Sequence, residues 1–154
     1  GAVSPRSLAG AAGQLLPVRE VRGDVGVKGE LDLIRAILLD IESKPRSELL
    51  GRSFQIDGVG ADEFSEAITL MLERGLIEGA TLRPLKGAIQ IANVRITWSG
   101  HDFLDSVRDE EIWEKTKEGA VAAGGFTFDL IKALAKGLIK RKIEQHTGIE
   151  LDLG

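Results

Sequence analysis

The amino-acid sequence predicts an α+β fold, a winged helix followed by a C-terminal amphipathic helical extension. Two stretches with the apolar period of an α-helix flank a short segment of strand character. Two further strand-like stretches follow, joined by RPLKG, a turn that contains both proline and glycine. Helix, short strand, helix and β-hairpin, in this order, are typical of a winged helix.

Composition indicates a soluble, globular chain. The 154 residues suffice for one domain plus extensions, and 43% of them are apolar and 29% charged. The absence of cysteine excludes disulfides and thiolate metal sites, and no apolar run approaches the roughly 18 residues of a membrane-spanning helix. Because the formal net charge is −4, nucleic-acid binding would need a local basic patch. We therefore expect a cytoplasmic protein.

The first segment, residues 1–29, is rich in Gly, Ala, Pro and Val and shows no sustained helical period. It also lacks the continuous apolar region of a signal peptide. We predict a flexible leader or a non-native extension, with an arm that orders on a partner as the alternative.

Organised structure is predicted to begin at Glu30, with a helix that ends before Pro45, because the residue preceding proline avoids helical geometry. The apolar stripe of this helix is formed by Leu31, Ile34, Leu38 and Ile41. After it, SFQIDGVG suits a brief strand and turn. We predict a winged-helix domain over residues 30–118.

The stretch ADEFSEAITLMLERG predicts a second helix, with Asp62 and Glu63 at its N-terminus and Gly75 as its C-terminal cap. The residues expected to face inwards are Phe64, Ile68, Met71 and Leu72. Four carboxylates and Arg74 give this helix a charge of −3, which is the wrong sign for an unassisted approach to phosphate.

The predicted hairpin, LIEGATL and AIQIANVRITW, carries the candidate nucleic-acid contacts Arg83, Lys86 and Arg95 against Glu78. A contact with DNA led by the wing is one interpretation of these residues. The alternative is that the three basic side chains only solvate the hairpin.

The stretch RITWSGHDFLD contains two patterns that compete. Ser99 and Asp102 have the spacing of a capping box at a helix start, whereas His101 and Asp105 could face the same way and bind a metal. Two histidines in the whole chain are too few for a typical catalytic zinc site, so we favour the cap. GVG at residues 58–60 lacks the further motif residues of a phosphate-binding loop. We predict no metal, cofactor or catalytic residue, and a protein that is not an enzyme.

Residues 105–118 hold six carboxylates and three basic residues, and Asp109 is placed to cap a new helix. We predict a Gly/Ala-rich hinge at residues 119–125 and an amphipathic C-terminal helix and tail at 126–154. With five basic and two acidic residues, the stretch 126–146 has a local charge of +3. The candidate interaction residues of this helix are Phe128, Leu130, Ile131, Leu134 and Leu138 on the apolar side and Lys132, Lys136 and Lys140 on the basic side.

Two resemblances follow from these stretches. GLIEG, a hairpin and then ITWSGHDFLD resemble the close of winged-helix regulators of the multiple-antibiotic-resistance type. More closely, DLIRAILLDIE, ERGLIEG, RITWSGHDFLDSVRDEEIWEKTK and FDLIKALAKGLIK resemble a family of small bacterial and prophage proteins known only as a domain of unknown function. That resemblance covers about residues 30–143. It implies a winged-helix fold and carries no catalytic residues to transfer.

The function predicted is a non-catalytic binding module, with a protein-interaction or oligomerisation adaptor in first place. The acidic second helix favours the adaptor over the alternative, a transcription regulator that binds duplex DNA through its wing. A weaker alternative is an anionic membrane surface as the partner of the C-terminal helix. We expect that helix to pack on its own domain or on a second copy, helped by ion pairs with the acidic 105–118 segment.

Overall fold

A computed structural model describes residues 18–125 and 127–148, and it describes side chains from residue 29 onward. The described residues form six helices and two strands: α1 Val18–Ser43, α2 Arg46–Leu49, α3 Ala61–Glu73, β1 Ile77–Leu82, β2 Gln90–Ile96, α4 Trp98–Val107, α5 Glu110–Ala123 and α6 Phe128–Thr147. The chain divides into two compact units, residues 1–31 and 32–154, and α1 begins in the first and ends in the second. The class is therefore α+β, as predicted.

The start of α1 corrects the predicted boundary. The helix begins at Val18, whereas the sequence predicts the first organised residue at Glu30. Each glycine in a helix costs only about 1 kcal/mol relative to alanine, and the sequence has no proline between residues 18 and 44. The glycines that hide the helical period are therefore not enough to end the helix. Residues 1–17 lie outside the described part of the chain, so the leader predicted there stays a prediction.

The core of the second unit is formed by the apolar stripes of its helices. On α3, residues spaced three and four apart turn to one side, and Phe64, Ile68 and Met71 are buried there as predicted. Leu72 is only half-buried. The other helices contribute Ile34, Ile37, Leu38, Ile41, Phe103, Leu104, Val107, Ile112 and Trp113. Burying side chains of this size stabilises a fold by about 1.5–3 kcal/mol each.

The sheet is a two-stranded antiparallel hairpin, with Ile77 opposite Ile96 at one end and Leu82 opposite Gln90 at the other. The short strand predicted in SFQIDGVG is reduced to one bridge, in which Ser53 pairs with Ala92 on the other edge of β2. Val94 and Ile96 of β2 both face the core, because successive side chains in a strand point to opposite faces. Ile91 is buried as well, although it lies three residues before Val94, because the register shifts between them.

A β-bulge fixes the register of the hairpin. The pairing shifts between Glu78 and Ala80, and Asn93 on the opposite strand adopts a left-handed φ of 55°. Asparagine tolerates this conformation better than most residues. Its Oδ1 also accepts a hydrogen bond from Gly51 N at 2.6 Å. The bulge thereby ties the hairpin to the segment that follows α2.

The N-terminus of α4 corrects the predicted capping box. The cap is Thr97 rather than Ser99, and its Oγ1 accepts a hydrogen bond from Gly100 N at 3.0 Å. The same hydroxyl donates to the carbonyl of Gly75, just past the end of α3. Asp102, the other member of the predicted box, points to α6 instead and pairs with Lys132.

The connection between α5 and α6 is shorter than predicted. The predicted hinge was to begin at residue 119, but residues 119–123 form the end of α5. The helix ends only at Gly124, which caps it in the left-handed conformation. The predicted cap at the other end is confirmed, since Asp109 Oδ1 accepts from Ile112 N at 2.9 Å. Thr127 caps α6 by accepting from Leu130 N at 3.1 Å.

Candidate interaction surface

Helix α6 packs on α5 and α4 of its own domain. Ile131 and Ala135 are fully buried in this contact, and the Phe128 ring meets Phe103 edge to face, with 5.1 Å between the ring centroids. Aromatic pairs prefer such edge-to-face arrangements. Leu130, Leu134 and Leu138 are half-buried. The apolar side of the predicted interaction helix is thus largely covered within the molecule.

Ion pairs also neutralise most of the basic side of α6. Lys132 Nζ lies 2.9 Å and Lys136 Nζ 3.6 Å from the carboxylate of Asp102 on α4. The hydrogen bond from Lys132 holds the pKa of Asp102 below its ordinary value. The remaining candidate, Lys140, has no ion pair with any residue between 29 and 148 that the structure describes.

The expected pairing with the acidic 105–118 segment is made by Lys142. Its Nζ lies 3.4 Å from Asp109 Oδ2 and 3.3 Å from Glu111 Oε1. The hydrogen bond to Glu111 contributes most to raising the pKa of Lys142. The positive charge of α6 is therefore largely directed at its own domain.

The hairpin does not bring its three candidate cations together. Arg95 pairs with Glu78 near the start of β1, whereas Arg83 and Lys86 lie in the loop beyond the other end of that strand. Arg83 Nη2 donates to Thr69 Oγ1 on α3 at 2.9 Å. Of the three, only Lys86 has neither an ion pair nor a hydrogen bond to a described side chain.

The solvent face of α3 carries the opposite charge. Asp62, Glu66 and Glu73 are spaced four and seven apart and therefore share one face of the helix. Glu63 is exposed beside them, and Leu70 lies half-buried in their midst. None of the four carboxylates has an ion pair or hydrogen bond to another described residue. We call the surface formed by these four residues and Leu70 the α3 face.

A groove opens beside the N-terminus of α3, between the segment 53–61 and the loop 84–90. It has a volume of about 330 Å³. The stacked rings of Phe54 and Phe64, 6.2 Å apart at their centroids, lie in its wall together with Ile89. No motif in the sequence indicates this groove, because it forms where two segments distant in the chain separate.

A partly buried polar cluster joins α1 to α5. Trp113 Nε1 and Lys117 Nζ both donate to Asp32 Oδ1, each at 2.8 Å. Burial is the largest influence on Lys117 and opposes its charge, but the hydrogen bonds to Asp32 and Glu114 outweigh it and raise the lysine pKa. These hydrogen bonds link the N-terminal half of the second unit's α1 segment to α5.

Metal and membrane chemistry find little support in the described residues. In that part of the chain, no group of three His, Asp or Glu side chains could hold a metal ion. No helix described there is both long and apolar enough to cross a membrane. The absence of a cofactor, the lack of enzymatic activity and the cytoplasmic location remain predictions.

Comparison with known proteins identifies the class. The sequence model of the family described as "Hypothetical protein (DUF2513)" matches residues 28–126, which is well over half of the chain. The chain therefore belongs to the DUF2513 family, which confirms the predicted resemblance to a family of unknown function. The match ends before FDLIKALAKGLIK, so α6 lies beyond it.

A relative in Haemophilus influenzae (strain ATCC 51907 / DSM 11121 / KW20 / Rd) carries the description "Uncharacterized protein". It is 32% identical over 120 residues, which cover 76% of this chain and 99% of the relative. No solved structure matches the chain.

Proposed function

We propose that the chain is a non-catalytic winged-helix module that binds a protein partner through the α3 face. One observation carries the proposal: the carboxylates of that face have no partner among the described residues, whereas Arg95 and three lysines of α6 are already held in ion pairs. Charge left unpaired on a surface favours a partner of the opposite sign.

The negative charge of α3 supports a protein rather than DNA as the partner. In a helix-turn-helix arrangement the second helix enters the major groove and lies among phosphates. A helix with Asp62, Glu63, Glu66 and Glu73 on its exposed side would be repelled there. Complementary contacts would come from lysine or arginine side chains around an apolar group that covers Leu70.

The alternative function is a DNA-binding regulator, related in mode to the multiple-antibiotic-resistance type. It is favoured by the loop between β1 and β2, where Lys86 has no ion pair with a described residue and Leu85 is fully exposed. Membrane-surface action by α6 has less support, because Ile131 and Ala135 are buried against α4 and α5. Oligomerisation and a prophage origin remain parts of the proposal without a structural observation of their own.

The proposed function can be tested by placing a photocross-linking amino acid at position 70 of the full chain, in its native bacterial host. We expect discrete cross-linked proteins, because Leu70 lies at the centre of the α3 face. Changing Asp62, Glu66 and Glu73 to lysine should abolish them. A matched chain with the cross-linker at Ala122, exposed on α5, should not give the same products. Cross-links that persist after the charge reversal would contradict the proposal.

A further inference from the structure

We infer that the groove beside α3 binds an extended segment of a protein partner, one that carries a large apolar side chain next to a lysine or arginine. This inference rests on the proposed function and specifies the chemistry of the partner. The surface involved is the groove between residues 53–61 and 84–90, which adjoins the α3 face at Ala61.

The groove exists because a third strand begins and then leaves the sheet. Ser53 bridges to Ala92, and Phe54 N donates to Ile91 O at 2.7 Å. After that bond the two segments separate, and the backbone amides of Gln55 and Ile56 donate to no other described residue. Unpaired backbone groups along an extended segment are what peptide-binding domains use to hold a peptide main chain.

The interior of the groove suits one large apolar side chain. Phe54, Phe64 and Ile89 are each only 4% exposed, so most of the apolar surface open to a ligand belongs to the half-buried Ile56, Val59 and Pro84. A volume of about 330 Å³ lies at the lower end of the range for ligand pockets, roughly 300–1,000 Å³. The groove therefore has room for an anchoring side chain and a short piece of backbone.

The charge at the rim of the groove determines which residue of the partner fits beside the apolar anchor. Asp57 lies between two lining residues, and Asp62 and Glu63 follow Ala61, which also lines the groove. All three carboxylates are exposed and have no ion pair with a described residue, while Lys86 is the one cation in the lining. Three negative charges against one positive charge give −2, which favours a basic residue beside the apolar anchor.

The test is selection of a random dodecapeptide phage library on the full chain, followed by calorimetry with the enriched synthetic peptides. Ala88→Trp fills the groove from its own lining, and Ala122→Trp adds the same side chain to an exposed position of α5. Val59→Lys is the second groove variant, which places a positive charge in the lining and changes the net charge of the groove and its rim from −2 to −1. Unchanged thermal midpoints establish that each variant is folded.

We expect a shared motif with an apolar residue beside lysine or arginine. Affinity should fall at least tenfold in Ala88→Trp and Val59→Lys and stay unchanged in Ala122→Trp. An acidic motif, the absence of any enriched motif, or equal affinity for the groove variants would overturn the inference. The two proposals can fail separately. If cross-links from position 70 depend on the α3 carboxylates but no peptide binds in the groove, the proposed function stands and the groove is not its binding site.

Discussion

Helices α3 and α6 are both amphipathic, but they differ in whether their charged side chains form ion pairs with other described residues. On α6, Lys132, Lys136 and Lys142 reach carboxylates of α4 and α5. On α3, Asp62 and Glu66 reach no cation that the structure describes. The two helices look alike in sequence, as an apolar stripe with a strongly charged opposite side. The difference between the two helices is whether the described part of the fold supplies the counter-charge.

The largest effect should come from breaking the packing of α6. Replacing the fully buried Ile131 with alanine removes apolar contacts and leaves a cavity, which costs about 2–5 kcal/mol of unfolding free energy. Urea denaturation would measure the loss. Ala133→Ser, on the exposed side of the same helix, is the control and should change stability by less than about 0.5 kcal/mol. A loss at Ile131 no larger than in the control would mean that α6 is not docked in solution.

A change of intermediate size should follow from reversing the charge of α3. With lysine in place of Asp62, Glu66 and Glu73, duplex DNA binding should strengthen at least tenfold at low salt, because phosphate then meets cations instead of carboxylates. Each new phosphate contact should add about 0.9 to the slope of log affinity against log salt concentration. Fluorescence anisotropy across a salt series measures both quantities.

The hairpin supplies the matched comparison for that experiment. Under the proposed function, the natural chain binds duplex DNA weakly, and changing Arg83, Lys86 and Arg95 to glutamate alters little. Strong binding by the natural chain that weakens steeply with salt and disappears in this hairpin variant would instead favour the regulator.

The smallest effect concerns the pH dependence of the α6 ion pairs. Because Lys132 lowers the pKa of Asp102, this pair contributes stability that is fully present above the ordinary aspartate pKa of 3.8 and is lost as the pH falls through the lower value in the folded state. Asp102 is 41% exposed, so solvent screening limits the contribution to about 0.5 kcal/mol. The difference in urea midpoint between the natural chain and Asp102→Asn should therefore shrink below about pH 4.

Glu66→Gln on α3 is the control for the pH series, since Glu66 lies beyond the first turn of the helix, is exposed and has no ion pair with a described residue. Its difference from the natural chain should vary less between pH 3 and pH 7 than that of Asp102→Asn. Equal behaviour of the two variants would mean that the pair between α4 and α6 does not form in solution.

Local patterns were enough to predict most elements of the fold. The spacing of Phe64, Ile68 and Met71 identified α3, and Asp109 identified the start of α5. The start of α1 was missed because glycines break the apolar period without ending the helix. Thr97 was overlooked as a cap because the fold, through its bond to Gly75, decides where α4 begins.

The candidate site was less accessible to sequence reasoning, because it depends on contacts between distant segments. The negative sign of α3 was predicted, but that its carboxylates have no ion pair with a described residue follows only from the positions of the described cations. Likewise, the groove forms because the chain leaves β2 at Gln55, and no local sequence pattern predicts where the backbone pairing ends. The sign of a side chain's charge can be read from the sequence, whereas the residues that pair with it are decided by the tertiary structure.

Thr97 has a mechanical consequence. Its single hydroxyl donates to Gly75 at the end of α3, while the same oxygen accepts from Gly100 in the first turn of α4. A displacement of the C-terminal end of α3 must therefore either break one of these bonds or carry the first turn of α4 with it. Asp102, which holds Lys132, lies in the next turn. Under the proposed function, a protein bound to α3 could therefore shift Asp102 and its ion pair with α6 through only two hydrogen bonds.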